Sequence, residues 1–170
     1  MRWSLFTVPL VLGLGLLSGR LSGSGADNPW FAALQKPAIY PPPLAFPIVW
    51  TLLYIALGVA LALVLSARGA PGRGLALAVF VVQLLLNLAW SPVFFGAHQP
   101  TAALLIMLVL LVATVGTLAL FWRIRRLSGV LLLPYLAWLL FASVLNWQFV
   151  QLNPGAERID ASGAAVRVAI

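Results

Sequence analysis

Aromatic and amide side chains recur in this chain at spacings that gather them onto helix faces. Trp50 and Tyr54 stand four residues apart, and Gln83, Asn87, Trp90, Ser91 and Phe94 follow at three- and four-residue steps. Pro134, Trp138, Ala142 and Leu145 repeat the pattern further on. Residues three and four apart share one face of an α-helix. Trp50, Tyr54, Trp90, Phe94 and Trp138 therefore offer flat apolar surface with an N–H or O–H handle, which suits a planar hydrophobic ligand. Asn87 can supply an orienting hydrogen bond, and Ala142 leaves room for a bulky group against its helix. Each of these residues also has a purely structural use. Tryptophan and tyrosine anchor helices at membrane interfaces, as Trp3 and Trp122 do at segment ends, and Asn87 or Gln83 can bond a neighbouring helix.

Other chemistry finds few residues to work with. Cysteine is absent and His98 is the only histidine, which rules out disulfides and argues against a Cys/His metal cluster or a bis-histidine haem site. Asp27, Glu157 and Asp160 lie outside the apolar segments, and no nucleophile has a histidine nearby. No Asp, Glu, Lys, Arg or His falls in the centre of an apolar segment, where ion-coupled carriers place them. The expectation is a site without metal or required cofactor, working by shape and stacking.

The elements that hold these residues are membrane spans. The chain is 63% hydrophobic and 8% charged, against roughly a quarter charged in soluble domains. The reading is an all-α membrane protein, a five-helix bundle with spans at about 3–21, 43–66, 75–96, 100–122 and 129–153, each near the ~20 residues needed to cross a bilayer. The bundle fills residues 1–153, and 154–170 read as a polar, flexible tail. The rival reading of the first segment is a cleaved signal peptide, with Ser24, Gly25 and Ala26 resembling a cleavage site. Its apolar run exceeds the roughly 7–15 residues of a signal core, which favours a span. Gly15, Gly19 and Gly23 fit the small-xxx-small pattern of close helix approach. The fourth segment is almost purely aliphatic and reads as a packing helix without chemistry of its own.

Residues 23–42 form a long connection carrying Trp30, Phe31, the only lysine, Lys36, and prolines at 37 and 41–43. Proline fixes its own φ and keeps the preceding residue out of the helical region, so the expectation is a stiff, non-helical lid. The net charge of +7 reflects arginines at segment ends rather than a basic stripe, which argues for membrane orientation over nucleic acid. Arg2, Arg68, Arg73, Arg123, Arg125 and Arg126 gather on one side, with Arg20, Lys36, Arg158 and Arg167 on the other. The positive-inside rule makes the N-terminus cytoplasmic and puts the lid on the outer face.

Four ordered motifs carry a resemblance. They are W-F-x-x-L-x-K-P at 30–37 followed by the Pro41-Pro42 pair, F-P-x-x-W-T-x-L-Y at 46–54, Q-L-x-x-N-x-x-W-x-x-x-F-F-G at 83–96, and P-Y-L-A-W-x-x-F-A-x-x-L-N at 134–146. Together they resemble the translocator protein family, the TspO/MBR group, whose members include tryptophan-rich sensory proteins and the peripheral benzodiazepine receptor of mitochondria. The resemblance implies a bacterial membrane receptor or carrier, often a homodimer, that binds porphyrins such as protoporphyrin, or other hydrophobic small molecules, under the first loop. It implies a pocket of Trp50, Asn87, Trp90, Trp138, Ala142 and Leu145, with Phe46 and Val49 from the second span and Trp30 from the lid. Some members are said to degrade protoporphyrin with light and oxygen, which would make Trp30 and Trp138 the catalytic candidates. A porphyrin-responsive regulator is a further alternative, with the glycine face of the first span or Gly74 and Ala78 as a dimer contact. The family has tryptophan where this chain has Ile39 and Leu44, which implies altered stacking of porphyrin against the lid. The family's sterol motif is not matched, because no basic residue follows Trp147 and Phe149 before Arg158.

Overall fold

A computed structural model describes residues 2–158, and every regular element within them is helical. The chain runs through α1 (Ser4–Leu21), a short α2 (Pro29–Ala33) in the first connection, α3 (Ala45–Ser66), α4 (Arg73–Ser91) continued by a π-helical turn (Pro92–Gly96), α5 (Pro100–Ile124), a short α6 (Arg126–Val130) and α7 (Leu133–Leu152). Five segments have the length and apolar composition to cross a membrane: α1, α3, α4 with its π turn, α5, and α6 with α7. Their ends lie close to the expected spans, and the protein is an integral multi-pass membrane protein.

Lipid is as apolar as leucine, so helices in a membrane associate through close packing and hydrogen bonds rather than hydrophobic burial. The pair α1 and α3 shows both. A Cβ on Gly58 would stand 2.6 Å from the Cα of Val8, and one on Gly15 would stand 2.1 Å from the Tyr54 ring. The Thr7 hydroxyl donates to the Gly58 carbonyl at 2.7 Å. Ser18 likewise donates to Leu88 O at 2.7 Å, tying α1 to α4. Helix α5 packs between α4 and α7, with Phe80 and Phe121 stacked at 5.5 Å. At the arginine-rich end the turn between α3 and α4 is closed by Arg73, whose Nε and Nη2 donate to Val64 O and Leu65 O at 3.2 and 3.1 Å. There α6 meets α3, and Gly129 lets the chain press onto Trp122.

Two expectations need correction. The lid over 23–42 is not wholly non-helical. Pro29 takes the first position of α2, where its missing N–H costs nothing, and Asn28 Oδ1 accepts from Phe31 N at 2.9 Å as the N-cap. The segment from 154 is not a uniformly loose tail either: Ala156–Arg158 form a 3-10 turn with Ala156 buried. Residues 159–170, including Asp160 and Arg167, lie outside the described residues.

Candidate functional site

Beneath the lid the helices stand apart around a cavity of about 430 Å³. Phe46, Trp50 and Tyr54 reach it from α3, Asn87, Trp90 and Phe94 from α4 and its π turn, and Trp138, Ala142 and Leu145 from α7. Nine of the eleven ligand-contact residues expected from sequence are therefore assembled on one surface. Pro92 has no N–H to continue the α ladder, and the chain answers with an i+5 bond, Ala97 N to Pro92 O at 2.8 Å. That wider turn carries Phe94 and Phe95, both on the cavity lining. The rings brace one another: Trp50 stacks on Tyr54 at 5.3 Å, Trp90 on Phe94 at 5.0 Å, and Phe46 meets Trp138 edge-on at 5.9 Å.

A buried polar chain runs behind this wall. Tyr54 donates to Asn87 Oδ1 at 2.8 Å, Asn87 Nδ2 donates to the Tyr135 oxygen at 3.0 Å, and Tyr135 donates to Gln83 Oε1 at 3.1 Å. In hydrocarbon such groups must find each other, and here three helices are joined by doing so. Asn87 lines the cavity, but both ends of its amide are engaged within the protein. Trp90 is engaged too, donating to Asn146 Oδ1 at 3.0 Å, while Asn146 Nδ2 donates to Pro100 O at 3.0 Å. The Trp138 N–H and the Ser91 hydroxyl, both on lining residues, have no hydrogen-bond partner.

Trp30 and Val49 stand elsewhere. Trp30 is fully buried behind the cavity, where its N–H donates to Ala156 O at 3.0 Å and its ring stacks on His98 at 4.6 Å. The two catalytic candidates, Trp30 and Trp138, thus do not share the cavity surface. His98, the one non-glycine residue with positive φ among those described, spends its ring on this stack. Val49 faces a separate shallow groove between α3 and α7, with Leu52, Pro134 and Phe141. Ile39 and Leu44 are exposed and do not line the cavity.

Sequence reasoning missed several lining residues. Phe31, Tyr40 and Phe149 close the lid end, and Met107 and Leu110 bring α5 into the lining, although that helix was read as packing alone. Tyr135 was missed as the centre of the polar chain, although it lies three residues before Trp138. Lys36 holds the lid in place: Nζ donates to Phe31 O and to Leu34 O, and sits 3.9 Å from the centre of the Phe31 ring. Burial pulls its pKa below the ordinary lysine value.

Comparison with known proteins finds relatives that span most of this chain. The TspO/MBR family model matches residues 6–152. The chain is 38% identical over 158 residues to the tryptophan-rich protein TspO of Chlorobaculum tepidum, covering 91% of this chain and 100% of that protein. It is 35% identical to the protein CrtK of Rhodobacter capsulatus, over 84% of this chain and 88% of that one. It is 38% identical to the translocator protein of Homo sapiens, over 88% of this chain and 89% of that one.

Proposed function

Because the chain belongs to the TspO/MBR family, we propose that its cavity is the binding site of a membrane receptor or carrier for planar tetrapyrroles such as protoporphyrin. One observation carries the reading: Trp50, Trp90 and Trp138 come from three different helices to line one cavity. Its volume falls within the roughly 300–1,000 Å³ of small-molecule sites. Flat ring faces favour a flat conjugated ligand, by offset stacking or edge contact. The Trp138 N–H and the Ser91 hydroxyl, both on lining residues and without a partner, are the polar groups left to meet an acceptor on such a ligand. Among the described residues no cluster of His, Cys, Asp or Glu is placed to hold a metal, and the lining carries neither a carboxylate nor a histidine. Recognition by shape and stacking needs neither. The names of the relatives, translocator and sensory protein, describe proteins that pass on a molecule or a signal, in line with a binder.

Titrating the purified protein with protoporphyrin in the dark tests the proposal through quenching of tryptophan emission. Saturable quenching that weakens in Trp138→Ala supports it, and quenching that never saturates sinks it. Illuminating the complex addresses the degrading-enzyme alternative, which falls if porphyrin absorbance decays no faster than with denatured protein. For a homodimer, Gly74 and Ala78 are exposed on α4, whereas Gly15 is taken up by Tyr54. Crosslinking in native membranes that yields only monomer would count against a dimer.

A further inference from the structure

The aromatic wall is interrupted on one side. Where α1 ends, Leu16, Ser18, Gly19 and Arg20 line the same cavity as Trp50 and Trp138. Across from them stand Pro43 and Pro47, at the start of α3. Leu16, Arg20, Gly25, Pro43 and Pro47 are exposed while also lining the cavity, so this is its mouth. The packing of α1 on α3 fixes the register. Gly58 takes Val8 and Gly15 takes the Tyr54 ring, so Arg20, just over one helical turn past Gly15, comes level with the first turn of α3. The other side of the lid is fastened shut. Asn153 Oδ1 accepts from Gln35 N at 2.7 Å and its Nδ2 donates to Gln35 O at 3.0 Å, and Trp30 is bonded to Ala156.

Arg20 is the only ionisable cation on the lining. Its guanidinium makes no ion pair, hydrogen bond or ring contact among the described residues. Lys36, on the lid, is occupied by two carbonyls and the Phe31 ring. An arginine in the last turn of a helix complements the helix dipole and marks a membrane interface wherever it points. What distinguishes Arg20 is its place at the rim of an otherwise apolar cavity. A planar guanidinium matches the two oxygens of a carboxylate in a bidentate pair.

We propose that Arg20 is a specificity-determining residue that recognises a carboxylate on the edge of the ligand, so that the site selects amphipathic planar acids. The conjugated body lies among Trp50, Trp90 and Trp138 and the acidic edge remains at the mouth. The proposal rests on the tetrapyrrole reading above and narrows it from planar hydrophobic molecules to those with an anionic edge.

The test compares protoporphyrin with its dimethyl ester, which has the same ring and no carboxylate. Both are titrated in the dark into the full-length protein, Arg20→Gln and Arg20→Lys, in an uncharged detergent free of phosphate. The wild type should prefer the free acid by about tenfold, the scale of one charge-assisted hydrogen bond. Arg20→Gln should erase the preference by weakening the acid alone, and Arg20→Lys should keep part of it. Unchanged ester binding shows that the variant cavity is folded. An acid-to-ester ratio equal in wild type and Arg20→Gln overturns the role of Arg20 and leaves the tetrapyrrole site standing. Failure of both porphyrins to bind the wild type overturns the tetrapyrrole reading itself.

Discussion

Two groups of aromatic residues share the lid end of the bundle, and they differ in what their rings face. Trp30, Phe31 and Phe94 bury one another against Phe149, and the polar atoms beside them are spent on Ala156, Phe31 and Leu34 carbonyls. Trp50, Trp90 and Trp138 are only half-buried, and one side of their surface borders an empty volume. Tryptophan occurs in both. Residue type therefore does not separate a ligand contact from a latch. A tryptophan whose N–H already holds a backbone carbonyl and whose ring is covered on both faces has nothing left to offer a ligand. The comparison assigns Trp30 to holding the lid and Trp50, Trp90 and Trp138 to binding beneath it, with Phe31 and Phe94, which pack on Trp30 and also line the cavity, joining the two.

That division is broken most sharply by Trp30→Ala. Removing a fully buried tryptophan should cost about 3–5 kcal/mol, seen as a large fall in the thermal unfolding midpoint in detergent and as rapid proteolysis in the lid. A variant with an unchanged midpoint but no porphyrin binding would move Trp30 into the ligand group. Gly15→Ala comes next. Its Cβ would stand 2.1 Å from the Tyr54 ring, so the ring must swing and its bond to Asn87 must break, at about 1–3 kcal/mol. If the variant unfolds like wild type, the close fit of α1 on α3 is not what positions the wall.

Trp138→Ala should do the reverse of Trp30→Ala. Loss of one ring contact of about 1.5 kcal/mol weakens binding by about tenfold, while the unfolding midpoint moves much less than for Trp30→Ala. Equal losses of stability in the two variants would erase the distinction. The smallest effect is expected for Asn153→Ala, which removes both bonds to Gln35. About 1 kcal/mol is expected, read as faster proteolysis within 23–42 at unchanged dark porphyrin affinity.

The sequence shows the spans and most of the cavity because both follow helical spacing. Trp50 and Tyr54, Trp90 and Phe94, and Trp138 and Ala142 are four residues apart, and each pair meets on one face as that spacing requires. The place of Trp30, buried and off the cavity lining, is not legible for a different reason. Its partners, His98 and Ala156, are 68 and 126 residues away along the chain, and no local pattern announces them. Asn87 reads from sequence as a ligand donor or as an interhelical bond, and only the fold brings Tyr135, which takes its amide, from another helix. Met107 and Leu110 were hidden within an aliphatic helix whose composition looks the same on every face. From sequence Arg20 is one of the segment-end arginines that argue for membrane orientation, and only the register of α1 on α3 brings it to the cavity rim.

The most direct measurement fills the cavity. Ala142 lines it from α7, and Ala142→Trp places an indole where the ligand's ring should lie. Porphyrin binding followed by its own absorbance in the dark should fall by at least about tenfold, with an unfolding midpoint close to wild type. Undiminished binding by a folded Ala142→Trp protein would contradict a ligand site beneath the lid.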